Sequence, residues 1–328
     1  MSYKDKSPVF IVGMPRSGTK LMRSLLSQHS FVSIALFESH FIPYFINVFG
    51  EDPSFKSKDD LVRVADEFEK TEFALSLKKA GKTLNREHFY NAVDFRSWES
   101  IFKYLIKSFG TKSYEMDVIW GDKTPGYINH ILLLKKIFPN SHFIHMIRDP
   151  RDYSLSVAKG WGKRLERAAE RWRVAVERAQ SIGKTMPERY IEASYEELVT
   201  DTKSLMIRVC DFLNIPFEEK VTSLEAPTPE DVGDVKGIAQ IVSTNTKKYK
   251  KALSKKQVKR VEEIVYPVMK NMPYQFEYAE KFKPVGFFSN LYYKCADGFA
   301  IIRFRLKERG AFKGIRYTFN HYTKSSWR

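Results

Sequence analysis

Residues 8–20 read Pro-Val-Phe-Ile-Val-Gly-Met-Pro-Arg-Ser-Gly-Thr-Lys, and this stretch constrains the fold more than any other. A short apolar run ends in a turn rich in Gly, Pro and Ser. A helix-patterned segment follows at once, with Leu21, Leu25 and Leu26 on one side. A buried strand feeding a tight loop that opens a helix is an anion-binding device: backbone N–H groups turn inward, and the helix N-terminus adds partial positive charge. Arg16 and Lys20 flank the turn. Two cations around an empty nest would repel each other, so the loop is read as a phosphate-type site rather than a plain connection.

From Gly13 to Gly18 the spacing is G-x4-G, as in nucleoside-triphosphate loops, but Thr19-Lys20-Leu21 follows. A nucleotide triphosphatase needs Lys and then Ser or Thr, the hydroxyl holding magnesium. Leu21 stands where that hydroxyl belongs. A kinase or triphosphatase is therefore kept only as a distant alternative.

The 328 residues allow one large α/β domain or two smaller ones, and 43% hydrophobic residues support a sizeable core. Two cysteines, Cys210 and Cys295, are too few for a disulfide framework and suit a reducing compartment. Residues 1–6 run into the first strand without an apolar signal segment, and no apolar run approaches a bilayer span. The expected location is cytoplasmic, with peripheral attachment to a membrane face as an option.

Strand signals at 9–12, 118–120, 142–147 and 189–192 alternate with helical patterns at 17–27, 95–108, 127–138, 152–181, 196–213 and 254–269. This alternation predicts an α/β fold: a mainly parallel sheet with helices on both faces, its ligand beyond the carboxyl ends of the strands. Residues 38–109 show helical patterns and no strand, and are read as a helical insertion over the site. Residues 225–242 read as a loop. The expected division is a domain over 1–280 and a basic, aromatic tail over 281–328.

The strand at 142–147 ends in Arg148-Asp149-Pro150-Arg151-Asp152-Tyr153-Ser154-Leu155-Ser156. Arg148 leaves the strand where ligands gather, Pro150 suits a first helical turn, and Asp149 or Asp152 can cap it. Ser156 lies one to two turns inside that helix, so an Arg fork and a hydroxyl could clamp a second phosphate.

Together the two anchors resemble the signature motifs of sulfotransferases that use 3′-phosphoadenosine 5′-phosphosulfate (PAPS). The resemblance implies that Arg16, Ser17, Gly18, Thr19 and Lys20 cradle the 5′-phosphosulfate, and that Arg148 and Ser156 grip the 3′-phosphate. Gly121-Asp122-Lys123-Thr124-Pro125 resembles the family's Lys-x-Pro segment. Residues 38–43 resemble the Glu-x-x-x-Ile-Pro segment of tyrosylprotein sulfotransferases and related bacterial enzymes. Residues 192–198, with Tyr195, are similar to the element near the adenosine, and Thr246-Lys247-Lys248-Tyr249 to the basic-aromatic loop over the nucleotide. Lys20 replaces a usual Thr, and Tyr249 a usual Trp. The matches run in family order from about residue 9 to 274.

The resemblance implies sulfuryl transfer to a hydroxyl acceptor without a metal, in which the protein mainly positions groups and neutralises charge. Lys123 is assigned to the transferring or bridging oxygens. Glu38 is the candidate general base, with a pKa raised by a dry cleft, and His40 is its rival. No His, Cys, Asp or Glu cluster has metal-ligand spacing. The aromatics in residues 44–102, among them Phe45, Phe68, Phe73, Trp98 and Phe102, favour a carbohydrate acceptor, a polysaccharide or glycolipid, because rings suit sugars. A protein tyrosine is the alternative, and a small alcohol or lipid ranks third.

The formal net charge of +16 points to polyanions. Residues 247–260 carry eight Lys or Arg and no acid, and residues 281–328 hold eleven Lys or Arg against Asp297 and Glu308. Non-catalytic polyanion binding is a further alternative, but nucleic acid is not expected, since no recognised motif accompanies the charge. The tail is expected to dock on an anionic membrane surface, the alternative being a helix folded back on the core.

Overall fold

Every residue of strand β1 (Val9–Gly13) is buried, because this strand sits at the centre of a parallel sheet covered on both faces. The structure, a computed structural model, describes residues 7–53, 55–225 and 240–309. Strands β2 (Val32–Ile34), β3 (Ile119–Lys123), β4 (His142–Ile147) and β5 (Tyr190–Ser194) complete five strands in the order β2-β3-β1-β4-β5. All neighbours pair in parallel.

Alternate residues of β1 face opposite layers, as the two-residue strand period requires. Val9 and Ile11 pack with Met22, Leu25 and Leu26 of α1 (Thr19–Ser27). Phe10 and Val12 join the larger core on the other face. That core includes the helices α2 (Phe41–Phe49), α3 (Asp60–Glu69), α4 (Glu72–Lys79), α5 (Arg86–Ala92) and α6 (Trp98–Lys107).

Helix α7 (Ile131–Ile137) precedes β4, while α8 (Pro150–Trp161) and α9 (Leu165–Gly183) follow it. After β5 come α10 (Tyr195–Thr200) and α11 (Thr202–Phe212), the latter packing beside α1. The described chain closes with α12 (Tyr249–Ala252), α13 (Lys255–Met269) and α14 (Phe287–Arg309).

The α/β architecture is the expected one, with local differences. The strand read at 118–120 continues to Lys123, because Asp122 and Lys123 are buried in the ladder despite their charge. The three-residue β2 carries too short a pattern to be read. The helix read across 152–181 is two helices, and the one across 196–213 divides at Asp201, whose side chain caps α11 by accepting from Ser204 N–H. Residues 226–239 of the loop at 225–242, and the tail beyond 309, lie outside the described residues.

Candidate active site

Ile11 is in register with both Lys123 and Ile144, and Gly13 with Met146. The loop after β1, the end of β3 and the loop after β4 therefore open on the same carboxyl edge, where ligands of open α/β sheets bind.

Two glycines shape the first loop. A Cβ on Gly13, at φ 149°, would lie 2.4 Å from the Met146 carbonyl oxygen, so only glycine lets β1 end this close to β4. Gly18 caps α1 in a left-handed conformation at φ 87°, and a Cβ there would lie 2.5 Å from the Tyr195 ring. Arg16 also takes positive φ, at 75°. The first helical bond of α1 runs from Met22 N–H to Gly18 O, and Ser17 N–H donates to Met14 O within the turn, which leaves the amides between them outside the ladder. Thr19 is buried, and Lys20 is half-buried one residue on.

The second anchor meets the first directly. Arg16 Nε donates to Ser156 Oγ at 3.2 Å, and Arg148 Nη1 donates to the Arg16 carbonyl at 3.1 Å. Arg148 Nη2 donates to Asn245 O at 3.1 Å, while its guanidinium lies 4.4 Å over the Tyr195 ring. Asn245 Nδ2 in turn donates to the Tyr195 hydroxyl. Arg16, Arg148, Ser156 and Tyr195 thus form one cluster, and Lys248, half-buried at the start of α12, follows the loop that Asn245 ties to it.

Arg151 serves a different end. It is buried between Asp149 and Glu262, and its guanidinium lies 4.2 Å over Tyr249. Tyr249 was expected to offer a platform to the nucleotide. Its ring is instead buried against Arg151, and its hydroxyl donates to Glu277.

Glu38 and Lys123 meet across the site. Lys123 Nζ, buried at the end of β3, donates to Glu38 Oε1, and His40 Nε2 lies 3.0 Å from Glu38 Oε2. The turn that carries Glu38 is anchored from below. Ser39 N–H donates to Thr124 Oγ1 at 2.9 Å and to Asp122 Oδ1 at 3.3 Å, and Ser39 Oγ lies 2.7 Å from the Tyr127 hydroxyl. Burial alone would push the Glu38 pKa up. The His40 hydrogen bond and the Lys123 charge outweigh it and hold Glu38 at about 2, opposite to the rise expected of a dry cleft. Lys123 is held below the ordinary lysine value by burial, which the Glu38 charge opposes.

A family model described as the sulfotransferase family matches residues 8–219. The chain belongs to the sulfotransferase family. It is 27% identical over 242 residues to protein-tyrosine sulfotransferase A of Caenorhabditis elegans, a match that covers 70% of this chain and 56% of that protein. It is 24% identical over 246 residues to protein-tyrosine sulfotransferase 1 of Danio rerio, covering 72% of this chain and 60% of that one. The chain thus spans less than two-thirds of the length of these relatives. Among solved structures, the sulfotransferase domain of the Synechococcus PCC 7002 olefin synthase superposes with a TM-score of 0.51 at 22% identity. That match covers 79% of this chain and 95% of that domain, a likeness of fold.

The residues present fit the anionic donor of a sulfotransferase. Ser17 Oγ and Arg148 Nε are buried with no hydrogen-bond partner among the described residues, and both lie in the segments expected to face phosphate. A buried donor left unpaired is costly, and an anion at this edge would satisfy both atoms. Glu196, within the element at 192–198, accepts from Asp149 N–H. Not foreseen from the sequence are Asn245 and Trp172, whose indole N–H donates to the Arg148 carbonyl. Each acts through contacts distant in sequence, so no local motif announces it.

Proposed function

We propose that the chain transfers the sulfuryl group of PAPS to an acceptor hydroxyl, and that this hydroxyl belongs to a protein tyrosine. The observation that carries the reading is the convergence of both anion anchors and the Glu38–Lys123 pair on one sheet edge. Bound PAPS would supply a sulfuryl group joined to a phosphate leaving group. The Ser17 hydroxyl, the amides of residues 18–20 and Arg16 would hold the 5′ end, and Arg148 with Ser156 the 3′-phosphate. Lys123 neutralises charge where the acceptor and donor meet. Glu38 takes the proton of the acceptor hydroxyl, and a carboxylate that shares its lysine with an arriving anion is a stronger base than one that holds it alone.

Tyrosine replaces carbohydrate as the favoured acceptor for two reasons. The curated relatives named above act on protein tyrosine, and residues 38–43 carry the resemblance to that branch. The aromatics that suggested a sugar platform are largely core: Phe45, Phe68, Phe73, Phe89, Trp98 and Phe102 are all buried. They pack on one another, as Trp98 does on Phe102 with centroids 4.9 Å apart. Incubation with radiolabelled PAPS and a panel of tyrosine peptides, oligosaccharides and small alcohols tests this. Label is expected on peptide tyrosine; label confined to a saccharide would overturn the acceptor, and no transfer to any acceptor would count against the activity.

A further inference from the structure

Helix α14 is held on the protein by polar contacts and leaves large apolar side chains exposed. A surface helix normally buries an apolar stripe and shows charge to water. Here polar contacts hold the inward side, among the partly buried Tyr293, Ile301 and Phe304. Asp297 is buried, accepts from Arg164 N–H at 2.8 Å and pairs with Arg167 Nε at 3.2 Å. Two turns earlier, Asn290 Oδ1 accepts from Arg167 at 3.2 Å. These contacts fix the rotation of the helix.

With that rotation fixed, Phe288, Leu291, Cys295, Phe299, Ile302 and Leu306 recur at intervals of three and four residues along the opposite side. Phe288 is 82% exposed and Phe299 75%, an outlay of apolar surface that water alone does not explain. By the helical period, the exposed cations Lys294 and Arg303 border the stripe on either side. In sequence, residues 310–328 add Lys313, Arg316, Lys324 and Arg328 without an acid. Among the described residues no helix is long and apolar enough to cross a membrane.

We infer that the outer face of α14 is an interfacial docking surface for an anionic lipid bilayer. The apolar stripe enters the boundary of headgroups and acyl chains, and the bordering cations meet lipid phosphates. Charge decides against a second copy as the occupant. Two chains of formal charge +16 stacked stripe to stripe would bring the same cations face to face. The inference is independent of the catalytic reading.

Sedimentation of the full chain with phosphatidylcholine vesicles, with and without about one-third phosphatidylserine, is the test. The chain is expected to pellet with the phosphatidylserine vesicles at low salt and to be released at high salt. A Phe288→Ser/Leu291→Ser/Phe299→Ser variant is expected to partition at least about tenfold more weakly. Because Cys210 is buried, a polarity-sensitive fluorophore can be placed on Cys295 alone. Its emission should shift to the blue with phosphatidylserine vesicles, a readout that holds even if the triple variant folds poorly. No pelleting at low salt, undiminished binding by a folded triple variant, or an unshifted probe would overturn the inference. So would a concentration-dependent dimer in sedimentation velocity that the triple variant abolishes.

Discussion

The guanidinium of Arg148 lies 4.4 Å over the ring of Tyr195, whose other neighbour is the space a side chain at Gly18 would fill. The stack links the phosphate loop, the second anchor and the start of α10 through one ring. Gly18→Ala would place a Cβ 2.5 Å from that ring at a φ of 87°. The left-handed backbone alone costs roughly 1–2 kcal/mol for a non-glycine residue. We expect Gly18→Ala to lower the urea midpoint and to weaken binding of 3′,5′-adenosine bisphosphate about tenfold or more, since Tyr195 must move. Unchanged nucleotide affinity would show that the stack does not position the anchor.

The Glu38 assignment predicts a separation of binding from turnover. Glu38→Gln keeps the shape and loses the base, so turnover should fall about 100-fold or more with nucleotide affinity nearly intact. His40→Ala should have the smaller effect, because His40 touches Glu38 Oε2 from a more exposed position. Initial rates and calorimetric titration on both variants check this. The reverse order of effects would transfer the role to His40.

How much of this was legible in the sequence depends on how far each constraint reaches along the chain. The phosphate loop was readable because Gly13, Pro15 and Gly18 answer backbone demands within six residues. Asp149 capping Arg151 N–H beside Pro150 is equally local. The family match assigned Glu38 and Lys123 roles, but their pairing spans 85 residues and a sheet order that no local pattern encodes. For the same reason the direction of the Glu38 shift was misjudged: burial was foreseen, the partners were not. The insertion aromatics misled because composition does not distinguish a ring in the core from a ring in a groove. In α14 the apolar residues were visible, but the outward face became readable only once Asp297 was placed against Arg164 and Arg167.

Asp122 gives a pH signature of defined sign. It is fully buried, and burial raises its pKa from 3.8 to about 6 despite hydrogen bonds from Thr124 and Ser39. A carboxyl whose folded pKa is raised binds more protons in the folded state. Its effect is therefore to lower stability as pH rises from 3.8 through about 6, with no further change above. Asp122→Asn removes this titration and keeps an oxygen for Ser39 N–H. The difference in urea midpoint between variant and wild type should shift in favour of the variant across that window. A difference that is flat with pH would show that Asp122 does not titrate there.

A site with two separated phosphate anchors should discriminate between nucleotides by their 3′-phosphate. Isothermal titration of the full chain with 3′,5′-adenosine bisphosphate and with 5′-AMP, in the presence of a chelator, isolates the 3′-phosphate. Loss of a charged hydrogen-bond pair is about 2 kcal/mol, or roughly 30-fold in affinity. The bisphosphate should bind tighter than 5′-AMP by about that factor, and Arg148→Ala should erase the difference. Equal affinity for the two nucleotides in the wild-type protein would show that no 3′-phosphate site exists.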